Sequence, residues 1–511
     1  MLTDKVIKKL QRQKPLMLSP MALALAACGG GTDTNSSGLT GQTESQSDSS
    51  AADNDTDVEA PAVEYLLQSD TIGIMSATGQ QTFQWMPDGS ERAVVRYYYP
   101  EDLDGDGNEE LVLAGFETQR NTPEEYSNTD LQIFSISSDG VLTNKTNALL
   151  PNEIASVEAV GDVVFGDFNG DGRQDYFTSA NADMDHIINA YAFTQVADGT
   201  FARKVIEAAE WQHGASVGDI NADGFSDVIV TGYTQDLYVY VGSPDGLVEY
   251  TVLPASKDDG GILVMGGSGI TFGDFLGKGE TQIVVTDRAD PEDSNTAIFS
   301  IALNDADKTV VIEKINDLPS PILDQDAYED YLEWDNAPRP GERSHDVRVD
   351  KVDFNQDGNL DVIVFSTGWP ANGSWPDIST VQFLQNDGNG SFVDVTATVL
   401  IDYEIDSNSS YATVFADFNN DGYVDLFVSD SDWNAPNNST SFILSNGDGT
   451  YSEQGRDLIA ELNQSGGGMG TVISDSEDNY YLVLGEQFIY SGTNFTDPTT
   501  ETLTVYPVDF L

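Results

Sequence analysis

From about residue 62 onward, short apolar runs alternate with polar, glycine-rich turns. Val228-Ile229-Val230 and Val362-Ile363-Val364-Phe365 are β-branched or aromatic runs that predict short strands. Small residues such as Ala215-Ser216-Val217-Gly218 lead into acidic loops, and the β-branched runs leave them. Further on in each unit come Asp-Gly and Asn-Gly steps, as in Asn386-Asp387-Gly388-Asn389-Gly390-Ser391-Phe392 and Asn446-Gly447-Asp448-Gly449-Thr450-Tyr451. These dipeptides accept positive φ and turn hairpins. The pattern predicts four short strands per unit and no helix, because no apolar periodicity of 3.6 residues is present.

The acidic loops recur. Asp102-Leu-Asp104-Gly-Asp106-Gly107-Asn-Glu-Glu110 is the first and Asp167-Phe-Asn169-Gly-Asp171-Gly172-Arg-Gln-Asp175 the second. Asp219-Ile-Asn221-Ala-Asp223-Gly224-Phe-Ser-Asp227 follows, then Asp353-Phe-Asn355-Gln-Asp357-Gly358-Asn-Leu-Asp361 and Asp417-Phe-Asn419-Asn-Asp421-Gly422-Tyr-Val-Asp425. Two degenerate copies run from Asp274 to Gln282 and from Asp475. The starting points are 65, 52, 55, 79, 64 and 58 residues apart, which divides residues 62–511 into seven units. A four-stranded sheet repeated at this spacing predicts an all-β fold, a seven-bladed β-propeller. Thr71 to Thr78 and Gln81 to Met86 are expected to pair with the last blade and close the ring, with an eighth blade as the alternative.

The unit resembles the FG-GAP/VCBS repeat of integrin-α-type propellers, in which Asp-x-Asn/Asp-x-Asp-Gly-x-x-Asp lies between the first and second strands of a blade. That resemblance implies calcium at the loops. The residues point the same way. Calcium takes six to eight hard oxygens. Side chains at the first, third and fifth places converge, glycine at the sixth reverses the chain, and the ninth-place carboxylate closes the cage. The expected ligands are Asp102, Asp104, Asp106 and Glu110; Asp167, Asn169, Asp171 and Asp175; and Asp219, Asn221, Asp223 and Asp227. Asp353, Asn355, Asp357 and Asp361 form the fourth set, and Asp417, Asn419, Asp421 and Asp425 the fifth. The competing reading is that these are acidic β-turns with no ion. About five Ca2+ ions are expected, because the copy at Asp274 carries Lys278 and Gln282 in its fifth and ninth places and the copy at Asp475 is short and lacks the glycine. The Lys278 ammonium is expected to neutralise Asp274.

Charge and the N-terminus add the setting. With 22 Lys and Arg against 86 Asp and Glu, the formal charge is −64, which argues against binding nucleic acid. Lys5, Lys8, Lys9, Arg12 and Lys14 precede the apolar stretch Leu16 to Ala27, the pattern of an export signal over residues 1–27. Leu25-Ala26-Ala27-Cys28 resembles the cleavage box of bacterial lipoproteins, which implies lipidation at Cys28, the only cysteine of the chain. The alternative is a secreted protein with an incidental cysteine. Residues 28–61 are polar and small, and are expected to be a flexible tether. Gly29 in place of Asp implies, by the same resemblance, the outer membrane of a Gram-negative cell.

The remaining unusual residues fall where second strands end or first strands begin, on the face opposite the loops. His186, Trp211, His213, Trp334, His345, Trp369 and Trp433 are the candidates for contacting a ligand there, or else for packing the central channel. The expected function is a cell-surface binding or adhesion module for carbohydrate or protein. The alternatives are a propeller lyase or hydrolase acting on extracellular polysaccharide, and a structural lipoprotein. No catalytic residue is assigned.

Overall fold

The computed structural model describes residues 63–84, 94–117, 129–152, 154–180, 188–207, 212–232, 237–253, 269–286, 296–319, 344–368, 379–401, 412–429, 440–462, 470–485, 490–491, 494–495 and 500–511. The leader, the tether and Cys28 lie outside the described residues.

The chain folds into an all-β propeller built from repeated antiparallel meanders. Val94–Glu101, Glu110–Glu117, Gln132–Ile136 and Leu142–Asn144 form the first sheet. Val160–Gly166, Asp175–Ala180, Asn189–Gln195 and Phe201–Glu207 repeat the order in the second. Gln212–Gly218 begins the third, Ile270–Gly273 the fourth, Ser344–Val352 the fifth, Ala412–Ala416 the sixth and Gly470–Ser474 the seventh. The outer strands of the third and fourth meanders also pair in parallel, Thr251 opposite Thr309, so these two form one continuous sheet.

The seventh sheet takes its outer edge from the start of the chain. Ile72–Ile74 and Gly79–Gln84 both pair with Thr500–Phe510, with Ile72 opposite Phe510 and Gly79 opposite Val505. The two N-terminal runs thus enter the last sheet and make none of their own.

Why the sheets stand in a ring follows from their burial. The second strands Asp175–Ala180, Asp227–Gly232 and Asp425–Ser429 are buried at every residue, so both faces of each sheet need cover. Each hydrophobic cluster supplies it between two neighbouring sheets. Phe165 and Tyr176 of the second pack with Val112 and Ile133 of the first, and Phe177 on the second strand's other face packs with Val228 and Tyr240 of the third. The series continues through the remaining pairs and ends with Leu111 and Phe134 of the first sheet against Ile473 and Val483 of the seventh. First strands touch along the centre from the first sheet through the fifth, and from the sixth through the seventh back to the first. Glycine is required there: a Cβ on Gly218 would come within 2.8 Å of the Phe272 ring in the next sheet.

One expectation is corrected. Short helices are present at Thr146–Leu149, Thr396–Val399 and Arg456–Leu462, each after the fourth strand of its sheet. The first two are single turns with no periodicity to detect; Thr146 and Thr396 hydroxyls accept the amides of Ile133 and Phe383.

The closing strand is expected to contribute to stability through its buried side chains. Ile72 is fully buried against the sixth and seventh sheets, so Ile72→Ala is expected to cost about 2–5 kcal/mol in denaturant unfolding. Val205→Ala, on a side chain 50% exposed, is expected to stay within about 0.5 kcal/mol. Equal effects would contradict closure through this strand.

Candidate functional site

Every intact acidic loop joins the first strand of a sheet to the second. Glu101 faces Glu110 across the hairpin, Gly166 faces Asp175, Gly218 faces Asp227, Val352 faces Asp361 and Ala416 faces Asp425. The ninth place is therefore the first residue of a buried strand. Asp175, Asp227, Asp361 and Asp425 are 0% exposed and Glu110 is 3% exposed.

Backbone amides hold these carboxylates. The second-place N–H donates to the ninth-place side chain, Leu103 to Glu110 at 3.0 Å, Phe168 to Asp175 at 3.2 Å, Ile220 to Asp227 at 2.7 Å and Phe418 to Asp425 at 2.8 Å. From the end of the third strand or just past it, Gln195, Gly242, Asn386 and Ser445 amides donate to Asp175, Asp227, Asp361 and Asp425 at 2.7–2.8 Å. The amides offset only part of the cost of burial. Desolvation pushes Glu110 up to about 8 and Asp175, Asp227, Asp361 and Asp425 up to about 7, with neighbouring loop carboxylates adding to the rise.

The rest of the loop is a tight cradle. Third-place Asp104, Asn169, Asn221, Asn355 and Asn419 accept the fifth-place amide at 2.9–3.2 Å. Fifth-place Asp106, Asp171, Asp223, Asp357 and Asp421 accept the amide two residues on at 2.8–3.1 Å. First-place Asp102, Asp167, Asp219, Asp353 and Asp417 accept the sixth-place glycine N–H at 2.7–3.1 Å. Those glycines lie at φ of 82–93°. The fourth place is left-handed too, and the chain tolerates Ala222, Gln356 and Asn420 there at 57–59°.

A hard cation fits this donor set. Carboxylate oxygens of Asp102, Asp104 and Asp106 lie within 4.8 Å of one another. One oxygen of Asp361 and one of Asp417 are buried with no hydrogen-bond partner. A buried anionic oxygen left unpaired is costly, and an ion would satisfy it. In the second loop the Arg173 guanidinium contacts Asp171 from the exposed side.

The degenerate loops keep the turn and lose the charge. Asp274 accepts the amides of Lys278 at 2.9 Å and Gly279 at 2.6 Å. Gln282 fills the ninth place, accepting the Leu276 amide at 3.1 Å and donating to the Glu280 carbonyl at 2.7 Å. The expected ion pair from Lys278 to Asp274 is absent among the described residues; the backbone amides serve Asp274 instead. Asp475 is self-contained, accepting from the Glu477 and Asn479 amides, the Asn479 side chain and the Tyr481 hydroxyl at 2.8–3.0 Å.

Two features escaped the sequence reading. The second place carries a core side chain, with Leu103, Phe168, Phe275, Phe354 and Phe418 each at most 2% exposed. The eighth place reaches the preceding sheet: the Glu109 and Ser226 amides donate to the Ser474 and Asp167 carbonyls, and the Thr281 hydroxyl donates to the Asp219 carbonyl at 3.2 Å. The second-place run of Leu, Phe and Ile was a visible signal; the eighth place has no common residue type.

Along the centre, first strands of five sheets enclose a cavity of about 70 Å³. His213 lines it with Tyr97, Tyr99, Asp162, Arg348 and Asp350. These residues precede their loops by three to six positions, which sets the cavity back from the loop face. Asp162 accepts the Tyr99 hydroxyl at 3.0 Å and the Ala215 amide at 2.9 Å. Arg348 grips both carboxylate oxygens of Asp350. Of the other ligand-face candidates, His186, Trp211, Trp334, Trp369 and Trp433 lie outside the described residues, as does the side chain of His345, whose backbone pairs with Thr367.

The repeats and sheets define a class. Residues 102–178 and 353–428 match the FG-GAP-like repeat family, in two regions of a β-propeller. No curated protein matches the chain in sequence. Among solved structures it is similar to the Dos1 propeller, at 10% identity and a TM-score of 0.39, over 84% of this chain and 94% of that one. It is also similar to CoXyl43, a GH43 beta-xylosidase/alpha-arabinofuranosidase from a compost microbial metagenome, at 11% identity and a TM-score of 0.30, over 62% of this chain and 98% of that one. Scores this low add nothing to the architecture the sheets already define.

The raised carboxylates predict a pH dependence without metal. The folded chain binds the Glu110 proton more tightly than the unfolded chain, so stability is greatest at low pH and is lost as pH rises through the folded value of about 8. Glu110→Gln copies Gln282 and removes the charge. In chelator, its melting temperature is expected to exceed the parent's by a margin that widens from about pH 5 to about pH 8. A margin independent of pH would contradict the burial argument.

Proposed function

We propose that the chain is a calcium-stabilised, seven-bladed propeller lipoprotein, tethered through Cys28 to the outer membrane and acting as a binding module at the cell surface. Its partner is a carbohydrate or a protein, engaged on the face opposite the loops. The observation that carries the calcium reading is the buried ninth-place carboxylate, repeated five times, together with the converging oxygens of Asp102, Asp104 and Asp106 in the first loop and orphaned buried oxygens on Asp361 and Asp417. The blade count is supported by hydrophobic clusters that join each sheet to the next and the last to the first.

Bound calcium would supply positive charge beside the buried ninth-place carboxylate and the half-buried or exposed carboxylates before it. First-, third-, fifth- and ninth-place side chains would hold it, while the amide network keeps them oriented. The loops then serve stability, and recognition belongs to the opposite face. Candidates for that recognition are His186, Trp211, His213, Trp334, His345, Trp369 and Trp433.

Chelation is expected to lower the melting temperature by many degrees, and calcium titration to count about five ions. Asp171→Ala is expected to lose one ion and leave the others. An unchanged melting temperature in chelator would refute the metal. Metabolic labelling with palmitate should mark the parent and not Cys28→Ser; equal labelling would refute the anchor.

A further inference from the structure

The five intact loops differ in one respect that their common spacing hides: the second holds a cation of its own. Arg173, in the seventh place, lays its guanidinium on the fifth-place carboxylate of Asp171, while its backbone amide donates to the other oxygen of that carboxylate at 3.1 Å. The seventh places of the other four loops are the neutral Asn108, Phe225, Asn359 and Tyr423. Among the described residues, no lysine or arginine makes an ion pair with Asp106, Asp223, Asp357 or Asp421.

An exposed ion pair is ordinarily weak, because its side chains must give up their freedom to hold it. This one is anchored. The Arg173 Nε donates to the Gln195 carbonyl at 3.0 Å. Gln195 is itself buried and fixed: its backbone amide donates to the ninth-place Asp175 at 2.8 Å, and its side chain donates to the Leu103 carbonyl of the first loop at 2.9 Å. The guanidinium thus hangs from the same residue that orients the loop's buried carboxylate. Charge separates the loops further. The first offers four carboxylates, from Asp102, Asp104, Asp106 and Glu110, whereas the second offers three, one of them already facing a guanidinium. Cation affinity in oxygen-donor loops is tuned by the count of ligand charges.

We propose that Arg173 stands in for part of the calcium charge: it helps to hold the second loop in shape without metal and makes that loop the weakest of the five cation sites, the one that fills last. The proposal rests on the calcium reading of the loops and ranks their affinities. A divalent ion entering the second loop meets a guanidinium on one of its ligands, and must either share Asp171 with it or displace it. Repulsion between the two cations a few ångströms apart, in a solvent-exposed setting, weakens binding roughly tenfold.

The test is calorimetric titration of calcium into the metal-stripped full chain, at a temperature where that chain is still folded, for the parent, Arg173→Gln and Asp171→Ala. The parent is expected to bind four ions more strongly and one about tenfold more weakly. Arg173→Gln is expected to bring the weak ion into the strong class, a gain of affinity that misfolding cannot produce, and Asp171→Ala to delete the weak ion alone. Hydrogen exchange over residues 167–175 is the second measurement. In chelator, protection there is expected to be about two- to fivefold lower in Arg173→Gln than in the parent, and in excess calcium to be at least equal to the parent's. Five ions of one affinity in the parent, or an unchanged weak step in Arg173→Gln, would overturn the role of Arg173 and leave the calcium reading standing. A weak ion that survives Asp171→Ala would overturn the ranking, and equal protection in chelator would overturn the substitute charge. If no calcium binds at all, the calcium reading and the proposal fall together.

Discussion

No sheet in this molecule is stable alone. Its second strand is apolar on both sides, and four short strands bury too little area to offset the entropy of ordering them. Covering both faces requires a neighbour on each side, and for sheets of equal size that requirement is met only when the last returns to the first. Everything local follows from this. First strands converge, so small residues such as Gly166, Gly218 and Gly273 occupy their ends, where side chains of the next sheet press in. The loops that leave those ends are forced into tight reversals with two left-handed residues each.

Convergence also explains why the acidic residues sit where they do. A loop at the end of an inner strand must reverse within a few residues, so its side chains fold back and satisfy its own amides even where they are exposed. The ninth residue begins a buried strand and yet must accept amides from two directions, which a carboxylate does and an aliphatic side chain cannot. Loop four manages with Gln282 because a neutral amide accepts once and donates once. The charge in the other loops is therefore more than the turn needs.

Much of this was legible in the residues. The spacing of Asp102, Asp167, Asp219, Asp353 and Asp417 located the hairpins, and the strand-like runs near Thr71 and Gln81 identified the closing edge. Both signals are local, and the first is repeated. The helix at Arg456–Leu462 was not read because it is short and has one buried face residue, Ile459. The cavity was invisible for a different reason. Tyr99, Asp162 and Arg348 are far apart in sequence and share no motif, and only the ring brings them together. His213 was singled out for its rarity, which said nothing about its neighbours.

The seam between Ile72–Ile74, Gly79–Gln84 and Thr500–Phe510 has a kinetic consequence. Residues 72–84 are made long before residues 500–510, with which they pair, so this contact closes a very long loop and is expected to form slowly. Until then the arc of completed meanders ends in two naked flanks, each able to pair with a foreign strand. A product that stopped before Thr500 would keep every acidic loop and still be unable to shut. Quality control acting on such a chain needs to recognise only one thing, the open edge.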